Sequence, residues 1–439
     1  MKKKIQYRAE SVEQISPEQL AGAFQAGSRV LVGVDVAKRN FVAALCNATG
    51  ETVLRVRFEH PRQTAQFVGL LAGLQTGERL VEVAMEPTGT YGDALRYRLG
   101  SSKVPVFRVS NKHVHDASEL FDSSPSKHDG KDSSVIGWLH AQGRSKRWEE
   151  LDPIRRSVRA LVAQRDLYDE PLGRLIAQME PLLARHFPEF EQFFDLSQRL
   201  TPWVLLELFG SPAKLGKLDV EGVLAAMKDQ IRRRPSADDL QSLLEAARST
   251  SGADMVAEEI ELVRRMATEV LHLMRKRREV DERIAKATDE VEEVKAIRPC
   301  LGPVTAAVIF AYLGDPKSYA SAAALEKAAG LNLVESSSGT DPNAEDKVPR
   351  HISKRGASIV RKYLFLAAMR LVRSDPLAKA WYQARRSFKA QQRTKAIVAV
   401  ERKLCRSLFH VAKGQSFDTE KLFDNRRLGV VLPAKEEAA

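Results

Sequence analysis

The order of apolar runs between residues 29 and 110 most limits how this chain can fold. Three β-type runs come first: RVLVGVDVA, RNFVAALCN and, after the turn ATGE, TVLRVRFEH. Their short connections predict an antiparallel meander. A helix from about Pro61 to Leu74, the strand LVEVAME, the helix YGDALRYRL and the strand VPVFRVS follow. This order predicts a mixed sheet with helices packed on its faces, an α/β layer architecture.

Acidic residues occupy positions in this pattern that are costly for a structural role. Asp35 interrupts the apolar strand VLVGVDVA, and a buried charge is unfavourable unless it is paired or bound to a metal ion. Glu86 ends the strand LVEVAME, and strand ends are where α/β folds bind ligands. Asp129 and Asp132 lie three residues apart in KHDGKDSSVIGWL, so on the first turn of a predicted helix they project from one face.

Two explanations of the aspartate pair stay open at this level. The pair either complements the helix dipole or forms half of a metal site with Asp35 and Glu86. Four converging carboxylates repel one another and therefore need divalent cations, and oxygen ligands favour Mg²⁺, with Mn²⁺ as the alternative. Two such ions, about 4 Å apart, clamp the attacking and leaving oxygens of a phosphoryl transfer. The predicted catalytic and metal-binding residues are thus Asp35, Glu86, Asp129 and Asp132.

The segment from about Pro153 to Val294 is predicted to be almost wholly helical. Apolar residues in steps of four and three run from Met266 to Val294, with a single gap at Arg277. Sustained over about four heptads, this spacing indicates a coiled-coil seam used for self-association, or one long helix folded back on its own bundle.

From Ile297 onward the pattern predicts a mostly α-helical domain. It starts with a turn and an apolar helix, IRPCLGPVTAAVIFAYLGD, in the manner of a helix-hairpin-helix. A second helix, SYASAAALEKAAGLN, ends at Gly330, a helix-terminating signal. A polar loop, LVESSSGTDPNAEDKVPRHISKRG, has no apolar periodicity, and helices return from Ile359.

The net charge of +12 is concentrated in this last part. Seven Lys or Arg and no acid lie from Arg350 to Arg373, and nine against one acid from Arg385 to Lys413. This segregation predicts a surface for the phosphate backbone of double-stranded DNA, and the scarcity of aromatic residues argues against stacking on single strands. The candidate DNA contacts are Arg361, Lys362, Arg385, Lys389, Arg393 and Lys395, with Arg402 and Arg406 further along the same side.

Several blocks resemble a known family. GVDVAKRNF, AMEPTGTYGDAL and KHDGKDSSVIGWL resemble the RuvC-like Asp-Glu-Asp-Asp domain of the Piv-type recombinases, insertion-sequence transposases of which some are directed by a structured bridge RNA. RPCLGPVTAAVIFAYLGDPKSYASAAALEKAAGL, SSSG and HISKRGASIVRKYLFLAAM resemble that family's C-terminal transposase domain. The resemblance implies DNA transposition, and the predicted strand order is that of the ribonuclease H fold.

The block ESSSGT, taken alone, is typical of a flexible loop. The resemblance implies that a serine just before the glycine attacks a DNA phosphate, which designates Ser338 within Ser336–Ser338, with Ser337 as the alternative. A serine hydroxyl needs activation, and the resemblance implies joint action with the carboxylate site. His351, Lys354 and Arg355 then either neutralise the transition state or only hold the DNA backbone.

The predicted organisation has five parts: an N-terminal extension (1–28), a RuvC-like domain (29–150), a helical coiled-coil region (151–295), a serine transposase domain (296–425) and a tail (426–439). The expected partners are donor and target DNA, a bridge RNA, and further copies of the chain in a dimer or tetramer. Three widely spaced cysteines and the absence of a signal-peptide or membrane-spanning pattern predict a cytoplasmic, nucleoid-associated protein without membrane contact.

Two rival functions stay open. A metal-dependent nuclease of the Holliday-junction-resolvase type would use the carboxylates alone, and it would need neither the serine block nor the basic C-terminal region. A non-catalytic nucleic-acid-binding scaffold would use the helical region to hold copies together, and its carboxylates would be structural.

Overall fold

The computed structural model describes residues 7–76, 78–87, 89–125, 127–197, 199–231, 235–335, 350–386 and 390–423. The chain divides into two compact units, Met1–Glu150 and Leu151–Ala439. The predicted nucleophiles Ser338 and Ser337, and the predicted DNA contact Lys389, lie outside the described residues. No helix in the described ranges combines the length and apolar character that crossing a membrane requires.

The first unit contains one sheet with helices against it. Its strands are β1 (Glu10–Ser11), β2 (Arg29–Asp35), β3 (Asn40–Cys46), β4 (Thr52–Glu59), β5 (Leu80–Met85), β6 (Val106–Val109) and β7 (Ser145–Arg147). Its α-helices are α1 (Pro17–Ala23), α2 (Thr64–Thr76), α3 (Asp93–Ser101), α4 (Asn111–Asp122) and α5 (Asp129–Ala141), and a 3₁₀ turn covers Val12–Gln14.

The strand order in this sheet is β1-β4-β3-β2-β5-β6-β7. Strands β2, β3 and β4 pair antiparallel, which confirms the predicted meander, and β2, β5 and β6 pair parallel. This mixed sheet is consistent with a ribonuclease H-like α/β fold. The edge strands β1 and β7 and the helix α4 were not predicted.

Strand β2 is central and is covered on both faces. Because successive side chains point to opposite faces, Val30, Val32 and Val34 enter the core formed with α1, α2 and α3. Leu31 packs on the other side with Ala44 and Cys46 of β3. Burial on both faces explains why this strand reads as a continuous apolar run.

The second unit is mostly helical. Its helices are α6 (Pro153–His186), α7 (Phe190–Phe193), α8 (Thr201–Phe209), α9 (Pro212–Leu215), α10 (Val220–Met227), α11 (Ala237–Arg248), α12 (Ala257–Ala287), α13 (Glu292–Leu301), α14 (Pro303–Leu313), α15 (Ala322–Ala328), α16 (Ser358–Ser374), α17 (Pro376–Arg385), α18 (Ala390–Val411) and α19 (Thr419–Leu422). A 3₁₀ turn covers Pro316–Ser318. Two short strands, β8 (Leu333–Glu335) and β9 (Arg350–Ile352), pair antiparallel.

The apolar seam predicted from Met266 onward lies on α12, but this helix ends at Ala287. Helix α12 runs antiparallel to α6, since Arg165 Nε donates to Asp281 at 2.6 Å near one end and His186 lies beside Glu259 at the other. The seam is buried against the chain's own helices, so it needs no second copy to cover it. The structure therefore does not confirm an intermolecular coiled coil, and it matches the alternative of a helix folded back on its own bundle.

The turn predicted at residues 299–302 is shorter than expected. Helix α13 continues through Pro299 and Cys300 to Leu301, and Gly302 alone joins it to α14. Gly302 has a φ of +73°, a backbone conformation that is unfavourable for residues other than glycine. The predicted end of the next helix is confirmed, because α15 stops just before Gly330.

Two buried acids of the second unit have contrasting surroundings. Glu326 Oε1 accepts a hydrogen bond from Arg402 Nε at 2.7 Å. Glu401 is 2% exposed, and its Oε1 atom has no hydrogen-bond partner among the described residues. Burial raises the pKa of Glu401 to about 8, although the charge of Arg361 opposes the shift. Glu401 therefore carries a proton at neutral pH.

We expect Glu401→Gln to stabilise the protein at alkaline pH. The folded state keeps a proton on Glu401 that the unfolded chain releases above about pH 4.5, so the free energy of unfolding falls as pH rises towards 8. Glutamine removes this loss. In urea unfolding, Glu401→Gln and the wild type should have similar free energies of unfolding at about pH 4.5. At about pH 8 the variant should be more stable by on the order of 3 kcal/mol. Glu326→Gln is the matched control and should destabilise at both pH values; a pH-independent effect of Glu401→Gln would contradict the assignment.

Candidate active site

The carboxyl ends of β2 and β5 carry the first two acidic residues of the site. Asp35 is the last residue of β2, and Glu86 directly follows β5. The strands are parallel, and Val34 lies opposite Met85. Asp35 and Glu86 therefore lie side by side at one edge of the sheet, where α/β folds place ligands.

Helix α5 approaches this edge because glycine occupies position 33. A Cβ atom at Gly33 would lie 2.1 Å from the carbonyl oxygen of Ser133 and 2.3 Å from the backbone nitrogen of Gly137. The helix thus rests directly on the strand backbone. Since residues 33 and 35 face the same side of the strand, Asp35 is directed towards the start of α5.

The first turn of α5 supplies the other two acids. Asp129 and Asp132 lie in this turn, and both line the same cleft as Asp35 and Glu86. The cleft has a volume of about 880 Å³, and Lys127 also lines it. The structure therefore brings together the four acidic residues predicted from sequence, which come from three separate segments.

The electrostatics of the cleft reflect this crowding. Burial, together with the charges of Asp132, Asp129 and Glu86, raises the pKa of Asp35 to about 7, and the charge of Lys127 opposes this shift. Burial also raises the pKa of Asp132, and here Lys127 opposes the shift while Asp129 adds to it. A cation in the cleft would relieve this repulsion.

The four carboxylates line one cleft without forming a closed coordination shell. Across the described residues, no group of three or more His, Cys, Asp or Glu side chains is close enough to hold one ion directly. The donors are all carboxylates, which suits Mg²⁺ or Mn²⁺ better than a softer metal. Binding of an ion here would have to draw these side chains together.

A buried network that was not predicted from sequence fixes the start of α5. Lys131 lies between the two aspartates and is fully buried. Its Nζ atom donates to Asp122 Oδ1 at 2.7 Å and to the carbonyl oxygen of Ser124. The hydroxyl of Tyr7 donates to the other oxygen of Asp122. The network ties the end of α4, the N-terminal segment and the first turn of α5 to one another.

Replacing Lys131 by methionine should destabilise the first unit and misplace its acids. The substitution leaves Asp122 without its main cation, and breaking a buried pair costs about 3–5 kcal/mol. Lys112→Met is the matched control, because Lys112 pairs with Asp116 at an exposed site, where such pairs contribute little to stability. Chemical denaturation gives the free energy of unfolding of both variants. An equal loss of stability in the two would show that Lys131 has no special positioning role.

Some of the predicted DNA contacts in the second unit are engaged with protein groups. Arg361 Nη1 donates to the carbonyl oxygen of Gly356 at 3.0 Å, and Lys362 pairs with Asp166 at 2.7 Å. Arg402 and Arg406 both lie beside the buried Glu326. These cations stabilise the fold, so the charge count alone overstates the basic surface.

Other predicted contacts are exposed to solvent. They are His351 on β9, Lys354 and Arg355 in the turn after it, Arg385 at the end of α17, and Arg393 and Lys395 on α18. The guanidinium of Arg385 stacks on Trp381, with its central carbon 3.7 Å from the ring centroid. A cation–π contact of this kind stabilises the position of the guanidinium over the ring.

Comparison with known proteins finds transposases similar to both units of the chain. The family profile for DEDD-type IS110 transposases matches residues 32–188, and the profile for transposases of the IS116/IS110/IS902 family matches residues 296–383. The insertion element IS110 uncharacterized 43.6 kDa protein of Streptomyces coelicolor is 26% identical over 66% of this chain and 72% of its own. The insertion element IS116 uncharacterized 44.8 kDa protein of Streptomyces clavuligerus is 28% identical over 71% of this chain and 78% of its own.

The matches correct one part of the sequence-based assignment. The predicted relation to Piv-type recombinases was wrong, because the matched families are those of IS110 and IS116, which are not Piv-type. The predicted Asp-Glu-Asp-Asp domain agrees with the first profile, and the acids in the cleft lie within the matched range. The chain belongs to the IS110/IS116 family of transposases, enzymes that cleave and transfer DNA strands.

Proposed function

We propose that this transposase cleaves and rejoins DNA through Ser338, assisted by a divalent-metal site held by Asp35, Glu86, Asp129 and Asp132. The observation that carries the metal site is the convergence of the four acids in one cleft, where their repulsion contributes to the raised pKa of Asp35. The expected ion is Mg²⁺, with Mn²⁺ as the alternative. Ions of this kind supply stabilisation of the charge on attacking and leaving oxygens in phosphoryl transfer.

The chain's own groups have separable roles in this proposal. The four carboxylates would hold the ions, and Asp35 would then lose the proton that its raised pKa favours near neutral pH. Lys127, at the rim of the same cleft, attracts the scissile phosphate. Helix α5 and its buried Lys131 keep Asp129 and Asp132 in position.

The serine part rests on the resemblance of SSSG and HISKRG to transposase blocks. The Ser338 hydroxyl oxygen forms a bond to a DNA phosphorus, and the bond from that phosphorus to a DNA oxygen breaks. The DNA oxygen leaves as a free hydroxyl and takes up a proton in place of the one that serine loses. The energy of the phosphoester is conserved, so no ATP is needed. Ser337 is the alternative nucleophile. Three exposed residues that follow would hold the DNA phosphate: His351, Lys354 and Arg355.

The remaining partners belong to the same proposal. A structured bridge RNA would select donor and target DNA, and the enzyme would work as a dimer or tetramer at the nucleoid. Arg385, Arg393 and Lys395 would contact nucleic-acid backbone, because they are exposed cations in a segment with a large excess of Lys and Arg. The five-part organisation with boundaries near residues 28, 150, 295 and 425 completes this view.

The test uses the full chain, labelled donor DNA with the element's ends, and RNA transcribed from the non-coding region beside the gene. We expect a protein–DNA adduct that survives denaturant, that requires Mg²⁺ and the RNA, and that disappears with EDTA. Free DNA ends without an adduct would instead favour the resolvase-type nuclease. Binding without any cleavage would favour the scaffold.

A further inference from the structure

A second cleft of the first unit adjoins the carboxylate cleft. It has a volume of about 1060 Å³, and residues of the N-terminal segment 7–14 line it together with Arg57, Lys127 and His128. Lys127 and Asp129 line both clefts. The second cleft therefore opens beside the point where α5 presents its acids, and we call it the N-terminal groove.

The N-terminal groove carries an excess of positive charge. Arg8, Arg57 and Lys127 line it, against Glu10 and Asp129. Arg8, Arg57 and Lys127 are exposed, and none of them forms a salt bridge with a described residue. Arg55 on the same strand differs, since its Nε atom donates to Gly130 and Ser134 at 3.0 Å. Arg55 has a structural role, whereas the cations of the groove are available to a ligand.

The wall of the groove is fixed by tertiary contacts. Glu10 and Ser11 pair with β4, with Ser11 opposite Arg57. The Tyr7 hydroxyl binds Asp122, and the guanidinium of Arg55 lies 5.2 Å from the centroid of the Tyr7 ring. A Cβ atom at Gly130 would lie 2.4 Å from the Tyr7 carbonyl oxygen, so glycine permits this contact. Arg8 and Arg57 are thus carried by a well-anchored surface.

We propose that the N-terminal groove binds the backbone phosphates of the DNA strand that enters the carboxylate cleft, with Arg8 and Arg57 as the contacts. The space and its several cations suit a chain of phosphates better than a single anion. Tyr7, the aromatic residue closest to Arg8 in the wall, is already covered by Arg55 and His128, so contact with the backbone is favoured over stacking on bases. The inference rests on the proposed function in one respect, that the carboxylate cleft is where the strand is cut.

The test compares Arg8→Gln/Arg57→Gln with Arg98→Gln in the full chain. Arg98 is an exposed arginine on α3 that lines neither cleft. Fluorescence anisotropy with a labelled DNA single strand, in EDTA and over a range of salt, gives the slope of log affinity against log salt. We expect the double variant to lower that slope by about 1.4, since each lost contact to a single strand contributes about 0.7. The control should leave it unchanged.

An unchanged slope in the double variant, or an equal fall in Arg98→Gln, would overturn the proposal. A change seen only with an RNA strand of the same sequence would overturn the assignment to DNA. If the double variant does not fold, arginine-selective phenylglyoxal labelling of the wild type decides, because bound DNA should protect Arg8 and Arg57 but not Arg98. The assay needs neither metal nor Ser338, so its failure is distinguishable from failure of the cleavage chemistry.

Discussion

Replacing Asp35 by asparagine is expected to abolish DNA strand cleavage while the first unit stays folded. Asparagine keeps the size of the side chain but removes one of the charges that would hold a divalent ion. Cleavage of labelled donor DNA in Mg²⁺ should fall to background, and the rise in melting temperature that Mn²⁺ gives the wild type should shrink. Circular dichroism would verify that the sheet is intact.

The same substitution should raise stability when divalent ions are absent. The pKa of Asp35 is raised to about 7, so the folded state loses stability as pH rises from about 4 to 7 and stays at the lower level above. Asparagine removes that loss, and in EDTA at about pH 8 the variant should melt at a higher temperature than the wild type. A variant that loses cleavage activity but gains stability would indicate that Asp35 is retained for its chemical role and not for folding.

Asp116→Asn is the matched control. Asp116 lines the same cleft, but it pairs with Lys112, and its pKa is lowered. We expect nearly normal cleavage in this variant. Normal cleavage in Asp35→Asn would show that this carboxylate is not needed for catalysis, and it would refute the proposed metal site.

Replacing Ser338 by alanine is expected to remove the covalent protein–DNA adduct completely. The change deletes the proposed attacking oxygen, while DNA and RNA binding should persist because the cations are untouched. Denaturing gels with labelled donor DNA measure the adduct, and anisotropy measures binding.

Ser337→Ala is both the control and the alternative. An adduct that persists in Ser338→Ala but is lost in Ser337→Ala would move the role by one residue. An adduct that survives in both variants would refute the serine route. Loss of the adduct with continued release of free DNA ends would show hydrolysis at the carboxylate site alone.

The central part of the first unit was predictable because its strands are long and apolar. Strands β2 and β3 are buried along most of their length, so their runs are visible in the sequence. Strands β8 and β9 have three residues each and no apolar alternation, and they were missed. Helix α4 was missed as well, because Val114 and Ala117 are its only buried residues.

The candidate site was predictable to the extent that it depends on strand ends and helix turns. The convergence of Asp35, Glu86 and the aspartates of α5 follows from those positions. The contact of Tyr7 with Asp122 joins residues 115 positions apart, and no local pattern indicates it. The sequence contains one weak signal that Lys131 is buried: it precedes the buried Val135 by one helical turn and so lies on the same face of the helix.

The basic C-terminal region shows a second limit of prediction from sequence. Counting Lys and Arg along the sequence does not reveal which of them face an acid. Arg402 turned inward to Glu326, and Lys362 pairs with Asp166, while Lys395 faces solvent. Partners distant in sequence decide which charges remain for a ligand.

The contact between Gly33 and α5 has a consequence for how members of this family can change. An added methyl group at position 33 meets backbone atoms, which cannot rotate away, and at position 137 it meets the sulfur of Cys46 at 2.8 Å. Saturation mutagenesis scored by folding should therefore tolerate almost no substitution at either glycine, whereas the exposed Arg98 should accept many. The backbone beneath the acids thus leaves almost no room for sequence change.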